Sequence, residues 1–186
     1  MDSPIATRPA SALVLLKGHP ATGKSTLAQA LARRGAWPLI DKDDIKDFTA
    51  ELPSGNRLAY DIMWRLVETE LRLGLSVVVD SPLSYPAGYA TGQALACRYA
   101  ARLLVVETTV TPGEWQQRLE ERRRGPAGHK IGSWSAMQEL LRAYDGCWRY
   151  PIDARHHLRI DTREPVDTCV AQVLRRLQDG EDAPVS

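Results

Sequence analysis

The sequence predicts a doubly wound α/β fold on a parallel sheet, and three observations predict it. Strand-like and helix-like segments alternate along the chain. Two strands, 75–79 (LSVVV) and 102–106 (RLLVV), are continuous apolar runs, and such runs need cover on both faces, which crossover helices supply. A glycine-rich stretch, Gly18-His19-Pro20-Ala21-Thr22-Gly23-Lys24-Ser25, sits between the first strand and the first helix. In such a sheet ligands bind beyond the carboxyl ends of the strands.

The elements follow in order. Residues 1–10 contain Pro and Ser and are expected to be flexible. Residues 11–17 (SALVLLK) read as a buried strand, and 26–34 (TLAQALARR) as a helix. Residues 36–40 (AWPLI) form a second strand, which Pro38 confines to a sheet edge or a strand start. It runs into Asp41-Lys42-Asp43-Asp44, with a helix expected from near Asp44. After a turn at Pro53-Ser54-Gly55-Asn56, a helix over 58–73 sets Leu58, Ile62, Leu66 and Leu73 on roughly one face, and Gly74 stops it. Strand 75–79 ends at Asp80-Ser81-Pro82, and a helix over 87–101 leads to strand 102–106. A charged helix over 112–124 has Thr111 as N-cap and Pro112 at its first position. Gly125-Pro126-Ala127-Gly128 breaks it. A helix over 135–144, a strand over 157–160 (HLRI) and a helix over 165–178 close the domain, and residues 180–186 read as a flexible tail. There are no repeats, and residues 11–179 are expected to form a single domain.

Composition narrows the function classes. The formal net charge is +1, and a protein that grips long nucleic acid through overall charge is usually more basic, so a polymer partner is not favoured. Cys97, Cys147 and Cys169 are far apart and odd in number, which suggests neither a zinc site nor a disulfide framework. No apolar run approaches the ~20 residues that span a bilayer, so no membrane is expected. Asp2 and Pro4 stand where a signal peptide would be basic and then apolar, and the expected location is cytoplasmic. A monomer or a homodimer is expected.

Residues 18–25 match G-x-x-x-x-G-K-[ST] at every fixed position, and the pattern is informative because a strand precedes it and a helix follows. Glycines let the backbone turn tightly and aim N–H groups at an anion, and the helix adds its positive end. Gly18, His19, Pro20, Ala21, Thr22, Gly23, Lys24, Ser25 and Thr26 are therefore the expected nucleotide-binding residues, with Lys24 reaching the β- and γ-phosphates and the Ser25 hydroxyl on Mg²⁺. His19 itself is expected to pack or to face solvent.

Asp43, Asp80 and Glu107 all follow predicted strands and so are expected on the loop's edge of the sheet. Asp43 is the candidate general base that takes a proton from an attacking hydroxyl. Asp44 is either an N-cap or functional. Lys46 either holds an anionic part of the acceptor or is a solvated helix lysine. Asp80 is a candidate for orienting Mg²⁺ or the acceptor, against a plain turn cap. Arg118 and Arg122 share a helix face. With His129-Lys130 five residues past Arg124, the stretch reads as a cationic lid over about 118–134 that neutralises phosphate charge and excludes water, the alternative being a solvated charged face. In the lid reading Arg118 stacks on adenine, Arg122 is catalytic and Lys130 contacts substrate. Trp64 is expected in the core, and Trp134 and Trp148 in the core or along an acceptor pocket.

Together the loop, the Asp41–Lys46 run, Val79-Asp80-Ser81 and Arg118…Arg122 resemble the P-loop kinases of the zeta-toxin and polynucleotide-kinase-like type, over about residues 13–141. The resemblance implies a P-loop fold of the nucleoside- and shikimate-kinase kind with a short lid. It also implies that Asp43, the first Asp of an Asp-Asp-x-Arg motif, is the base. Lys46 stands where that motif has its arginine, keeping the charge but not the two-pronged recognition of phosphate. Chloramphenicol phosphotransferase is similar in type. Tyr144-Asp145-Gly146-Cys147, His129-Lys130 and Asp80-Ser81-Pro82-Leu83 also resemble a set of bacterial and plant ATP-binding proteins.

The expected activity is ATP- and Mg²⁺-dependent transfer of the γ-phosphate to a hydroxyl of a small molecule or nucleoside. The alternatives are an ATPase or switch without an acceptor, a polynucleotide 5′-hydroxyl kinase, or a binding module. The guanine-reading N-K-x-D motif of GTPases does not occur.

Overall fold

A computed structural model describes residues 11–123 and 133–179. The two terminal segments, the break at 125–128, His129, Lys130 and most of the expected lid lie outside the described residues. Five strands, β1 (Ala12–Lys17), β2 (Leu39–Asp41), β3 (Val77–Asp80), β4 (Arg102–Thr109) and β5 (His157–Asp161), pair in parallel in the order β2-β3-β1-β4-β5. Between them run α1 (Lys24–Gly35), α2 (Lys42–Thr49), α3 (Gly55–Arg72), α4 (Pro86–Arg98), α5 (Pro112–Arg123) and α6 (Trp134–Ala143), and α7 (Val166–Asp179) closes the order.

The sheet is covered on both faces, as the apolar strands demand. Side chains alternate along β1: Leu13 and Leu15 join Met63, Val67 and Tyr89 on one face, while Val14 and Leu16 join Leu27, Leu31 and Val173 on the other. Each buried Leu or Val contributes roughly 1.5–3 kcal/mol relative to leaving it exposed. β2 lies at the sheet edge, where Pro38 allows it.

Two expectations need correction. The leucine stripe of α3 is not its core face: Ala59, Met63, Val67 and Leu71 are buried, whereas Leu58, Leu66 and Leu73 are exposed. The helix is apolar on two adjacent stripes, so spacing alone could not choose between them. β4 runs to Thr109 rather than ending at Val106, because pairing with β5 carries it through Glu107 and Thr108 after the apolar run stops. Gly74 does end α3, with the N–H groups of Gly74 and Leu75 donating to the carbonyls of Leu71 and Glu70.

Candidate active site

β1, the central strand, delivers the chain into the loop at Gly18. A Cβ there would stand 2.2 Å from Thr108 Oγ1 and 2.7 Å from Thr22 Oγ1, so only glycine fits. Those two hydroxyls lie 2.7 Å apart and brace the loop against β4. Gly23 has φ 88°, a left-handed conformation natural to glycine, and swings the chain into α1. The N-terminus of α1 has no side-chain cap and no acidic residue in its first turn. Its unpaired N–H groups and dipole form an anion site, which fits nucleotide phosphates. Ser25 lies in that first turn.

Lys24 folds back over the loop, its Nζ 3.4 Å from the His19 carbonyl oxygen. Burial holds its pKa below the usual lysine value, opposed by Asp80, Asp43 and Asp41, while Arg122 adds to the lowering. Lys24, Asp43, Asp80 and Arg122, residues singled out from four parts of the sequence, therefore share one electrostatic neighbourhood.

Asp41 and Asp80 are register partners at the ends of β2 and β3. Asp80 is buried. Asp41, not Asp44, caps α2, accepting from the Asp43 N–H at 2.8 Å, and Asp44 is exposed in the first turn. Burial pushes Asp41 up to about 6, with the Asp43 N–H acting in the opposite direction and the Asp80 and Asp43 charges reinforcing the rise. Asp43 pairs with the buried Lys42 at 2.7 Å. Lys46, half-buried, lies three residues along α2 from Asp43. Sequence reasoning passed over Asp41, although its place at a strand end before a helix was the available signal. Glu107 sits inside the lengthened β4 as the register partner of Lys17, the residue before the loop, and its carboxylate pairs with His157 Nε2 at 2.8 Å.

Beside the loop is a cavity of about 550 Å³ lined by Ala21, Gly23, Thr26, Arg118, Arg122 and Thr162. Arg118 Nε donates to Glu114 at 2.8 Å, and its Nη1 and Nη2 donate to the hydroxyl and carbonyl of Thr162 at 2.9 and 3.0 Å. The Thr162 hydroxyl is itself 2.8 Å from the Thr22 carbonyl oxygen, which joins α5, the β5 end and the loop. Three of its five N–H donors are thereby engaged, which fixes the guanidinium at the cavity wall.

The loop's other side is aromatic. His19 stacks between Trp148 (3.8 Å) and Trp115 (5.1 Å), and Trp134 meets Trp115 edge-on. Burial, helped by Lys17 and Lys24, lowers His19 to about 4, so it is neutral at physiological pH, and its Nδ1 is buried without a partner among the described residues. Lys17 was missed by sequence reasoning, though a lysine ending an apolar strand before a glycine loop was a usable signal. Its buried Nζ donates to the Trp148 carbonyl at 3.1 Å and lies 3.6 Å from that ring's centre. Burial lowers its pKa to about 8 against the opposing pull of Glu107 and Cys147. Trp64 packs against the core as expected.

A glycine loop feeding an uncapped helix, with two acidic strand ends beside its lysine, defines a P-loop nucleotide-binding protein with the α/β fold of P-loop kinases. The chain belongs to the AAA domain family, which it matches over residues 13–143. Its structure is similar to that of a Chloroflexus aurantiacus J-10-fl protein assigned provisionally as a kinase, with 23% identity, 90% of this chain and 98% of that one covered, and a TM-score of 0.72. It is also similar to the Mycobacterium tuberculosis APS kinase CysC in complex with AMPPNP and APS, with 16% identity, 92% and 99% coverage and a TM-score of 0.66. A gluconokinase from Sinorhizobium meliloti 1021 shares 18% identity over 92% of this chain and 94% of that one, at a TM-score of 0.60. At these identities the likeness establishes the fold. No functionally curated protein matches the sequence. Among the described residues no helix is long and apolar enough to cross a membrane.

Proposed function

We propose that this protein is a kinase of the polynucleotide-kinase-like type that transfers the γ-phosphate of ATP to an alcohol hydroxyl. The observation that carries the reading is the shared neighbourhood of Lys24, Asp43, Asp80 and Arg122, which pairs a phosphate-holding lysine with a carboxylate at its flank. Asp43 takes the proton of the acceptor hydroxyl as that oxygen bonds to the γ-phosphorus, and the bond to the ADP oxygen breaks. Lys24 and Arg122 offset the charge that builds on the transferring group. Arg118 and Thr26 border the base and sugar.

The residues present suit Mg²⁺. The Ser25 hydroxyl and the Asp80 carboxylate are hard oxygen donors, few enough to leave room for phosphate and water, as Mg²⁺ prefers. When bound, Mg²⁺ neutralises phosphate charge; Ser25 and Asp80 would hold it. Lys46 would face the acceptor.

The test is Asp43→Asn assayed with labelled ATP across a hydroxyl panel. Transfer falls ~10²–10⁴-fold, the span of general-base contributions, while AMPPNP affinity measured by calorimetry stays within a few-fold. Unchanged transfer removes Asp43 as base. ATP hydrolysis that no hydroxyl compound alters favours the acceptor-free ATPase instead.

A further inference from the structure

The ground beside Asp43 holds aromatic residues that the kinase reading has not yet used. Tyr85 is 55% exposed, although it directly follows the buried Ser84. Ser84 Oγ donates to the Tyr144 hydroxyl at 3.0 Å, and Tyr85 meets Tyr144 edge-on at 6.0 Å. Tyr144 in turn tilts against Trp148, the ring stacked on His19 of the phosphate loop. From the opposite side, Lys42 links Asp43 to Tyr60, its Nζ 2.7 Å from the carboxylate and 5.6 Å from the ring centre. Burial pushes the Tyr60 phenol up to about 12, reinforced by Tyr144, Asp43 and Tyr85, which are thereby close in space to it. Tyr60 therefore keeps its proton and remains a donor at neutral pH.

Three phenols thus come together, Tyr60 from α3, Tyr85 from the loop before α4 and Tyr144 from the segment after α6, with Tyr60 the one linked to Asp43 through Lys42. An exposed ring joined to two half-buried ones is a surface on which a flat ligand stacks, and the hydroxyls supply directional hydrogen bonds. The balance of charge around them favours a neutral ligand over an anion. Asp41, Asp43 and Asp80 gather here with Asp44 in the same helical turn; Lys42 is already paired with Asp43, Lys24 and Arg122 serve the phosphate side in the kinase reading, and among the described residues Lys46 is the cation left to set against these carboxylates.

Resting on the kinase reading, we infer that the acceptor is an uncharged, ring-bearing alcohol that stacks on Tyr85, hydrogen-bonds Tyr60 and Tyr144, and turns its hydroxyl toward Asp43. The class includes nucleosides and aryl alcohols. It leaves out sugar acids and phosphorylated or sulfated acceptors.

The experiment compares labelled-ATP transfer to adenosine, thymidine and 1-phenyl-1,2-ethanediol with transfer to thymidine 3′-phosphate, gluconate and glycerol. The best acceptor is expected in the first group, with kcat/KM about tenfold or more above any member of the second, a gap that one stacking or hydrogen-bond contact can supply. Tyr85→Ala, at an exposed site, raises the KM for that acceptor by about 3–10-fold, the worth of an aromatic contact, and leaves the KM for ATP unchanged. Tyr144→Phe keeps the ring and raises the acceptor KM by about 2–10-fold, the worth of one hydrogen bond. Preference for thymidine 3′-phosphate, gluconate or glycerol, with transfer still lost in Asp43→Asn, overturns this inference and leaves the kinase reading standing. An unchanged acceptor KM in both tyrosine variants also overturns it. No transfer to any of the six compounds, with ATP hydrolysis indifferent to Asp43→Asn, overturns both.

Discussion

The two sides of the phosphate loop are built differently. The side that faces the 550 Å³ cavity takes Ala21, Gly23 and Thr26 from one contiguous stretch of chain, whose backbone N–H groups would hold the phosphates in the kinase reading. Arg118, Arg122 and Thr162 complete its lining, with Arg118 and Thr162 clasped to each other and Thr162 to the loop. The side that faces Asp43 is made of side chains from Asp41 to Trp148, far apart in the sequence, and its contacts are rings, hydroxyls and carboxylates. A backbone site is robust to side-chain change but intolerant at its glycines. A side-chain site can change its ligand by single substitutions. The comparison teaches that the proposed donor half is the constrained part of this molecule, and the proposed acceptor half is where specificity can vary.

That contrast can be broken by mutation. The largest effect is expected at Lys24→Ala, which removes the ammonium among Asp80, Asp43 and Arg122. Transfer drops by about 10³-fold or more, on the scale of losing a preorganised charge at a reacting phosphate. Activity within tenfold of wild type in labelled-ATP assays would make the loop a structural turn. Next in size is Arg118→Ala. It removes a stacking face and the clasp on Thr162, so the KM for ATP rises about tenfold, the worth of roughly 1.4 kcal/mol, with the acceptor KM constant. A rise in the acceptor KM instead would merge the two halves that the comparison separates.

The smallest effect concerns pH. The folded-state pKa of Asp41 is raised to about 6 from an ordinary 3.8, so the folded protein binds this proton more tightly than the unfolded chain. Between about pH 4 and 6 this group's contribution therefore falls as pH rises, and above 6 the buried charge is a constant cost. Asp41→Asn keeps an N-cap for α2 and removes the charge. Its melting temperature should exceed the wild type's by a few degrees at pH 7 and by less at pH 4.5. An equal difference at both values would mean that Asp41 does not titrate in that window.

Much of the fold was legible because its signals are local. Alternating strand and helix patterns, buried apolar runs and Pro38 at an edge led to the parallel five-stranded sheet. The face of α3 was not legible, since Leu58 and Leu66 are as apolar as Met63 and Val67, and only contact with the sheet tells them apart. The extension of β4 was hidden for a similar reason: Glu107 and Thr108 look like the end of a strand until β5 pairs with them.

By itself the sequence determined the loop, because an anion cradle of backbone groups needs only the right residues in the right order. It also determined which acids stand near strand ends. Only the tertiary structure decided that Asp41 rather than Asp44 caps α2, that Glu107 belongs to His157, that Lys17 lies buried under Trp148, and that Tyr60, Tyr85 and Tyr144 meet beside Asp43. Hydrogen bonds and ring contacts between residues fifty or more positions apart, such as Glu107 with His157 and Lys17 with Trp148, leave no mark on local spacing, and they form only when the sheet brings those segments together.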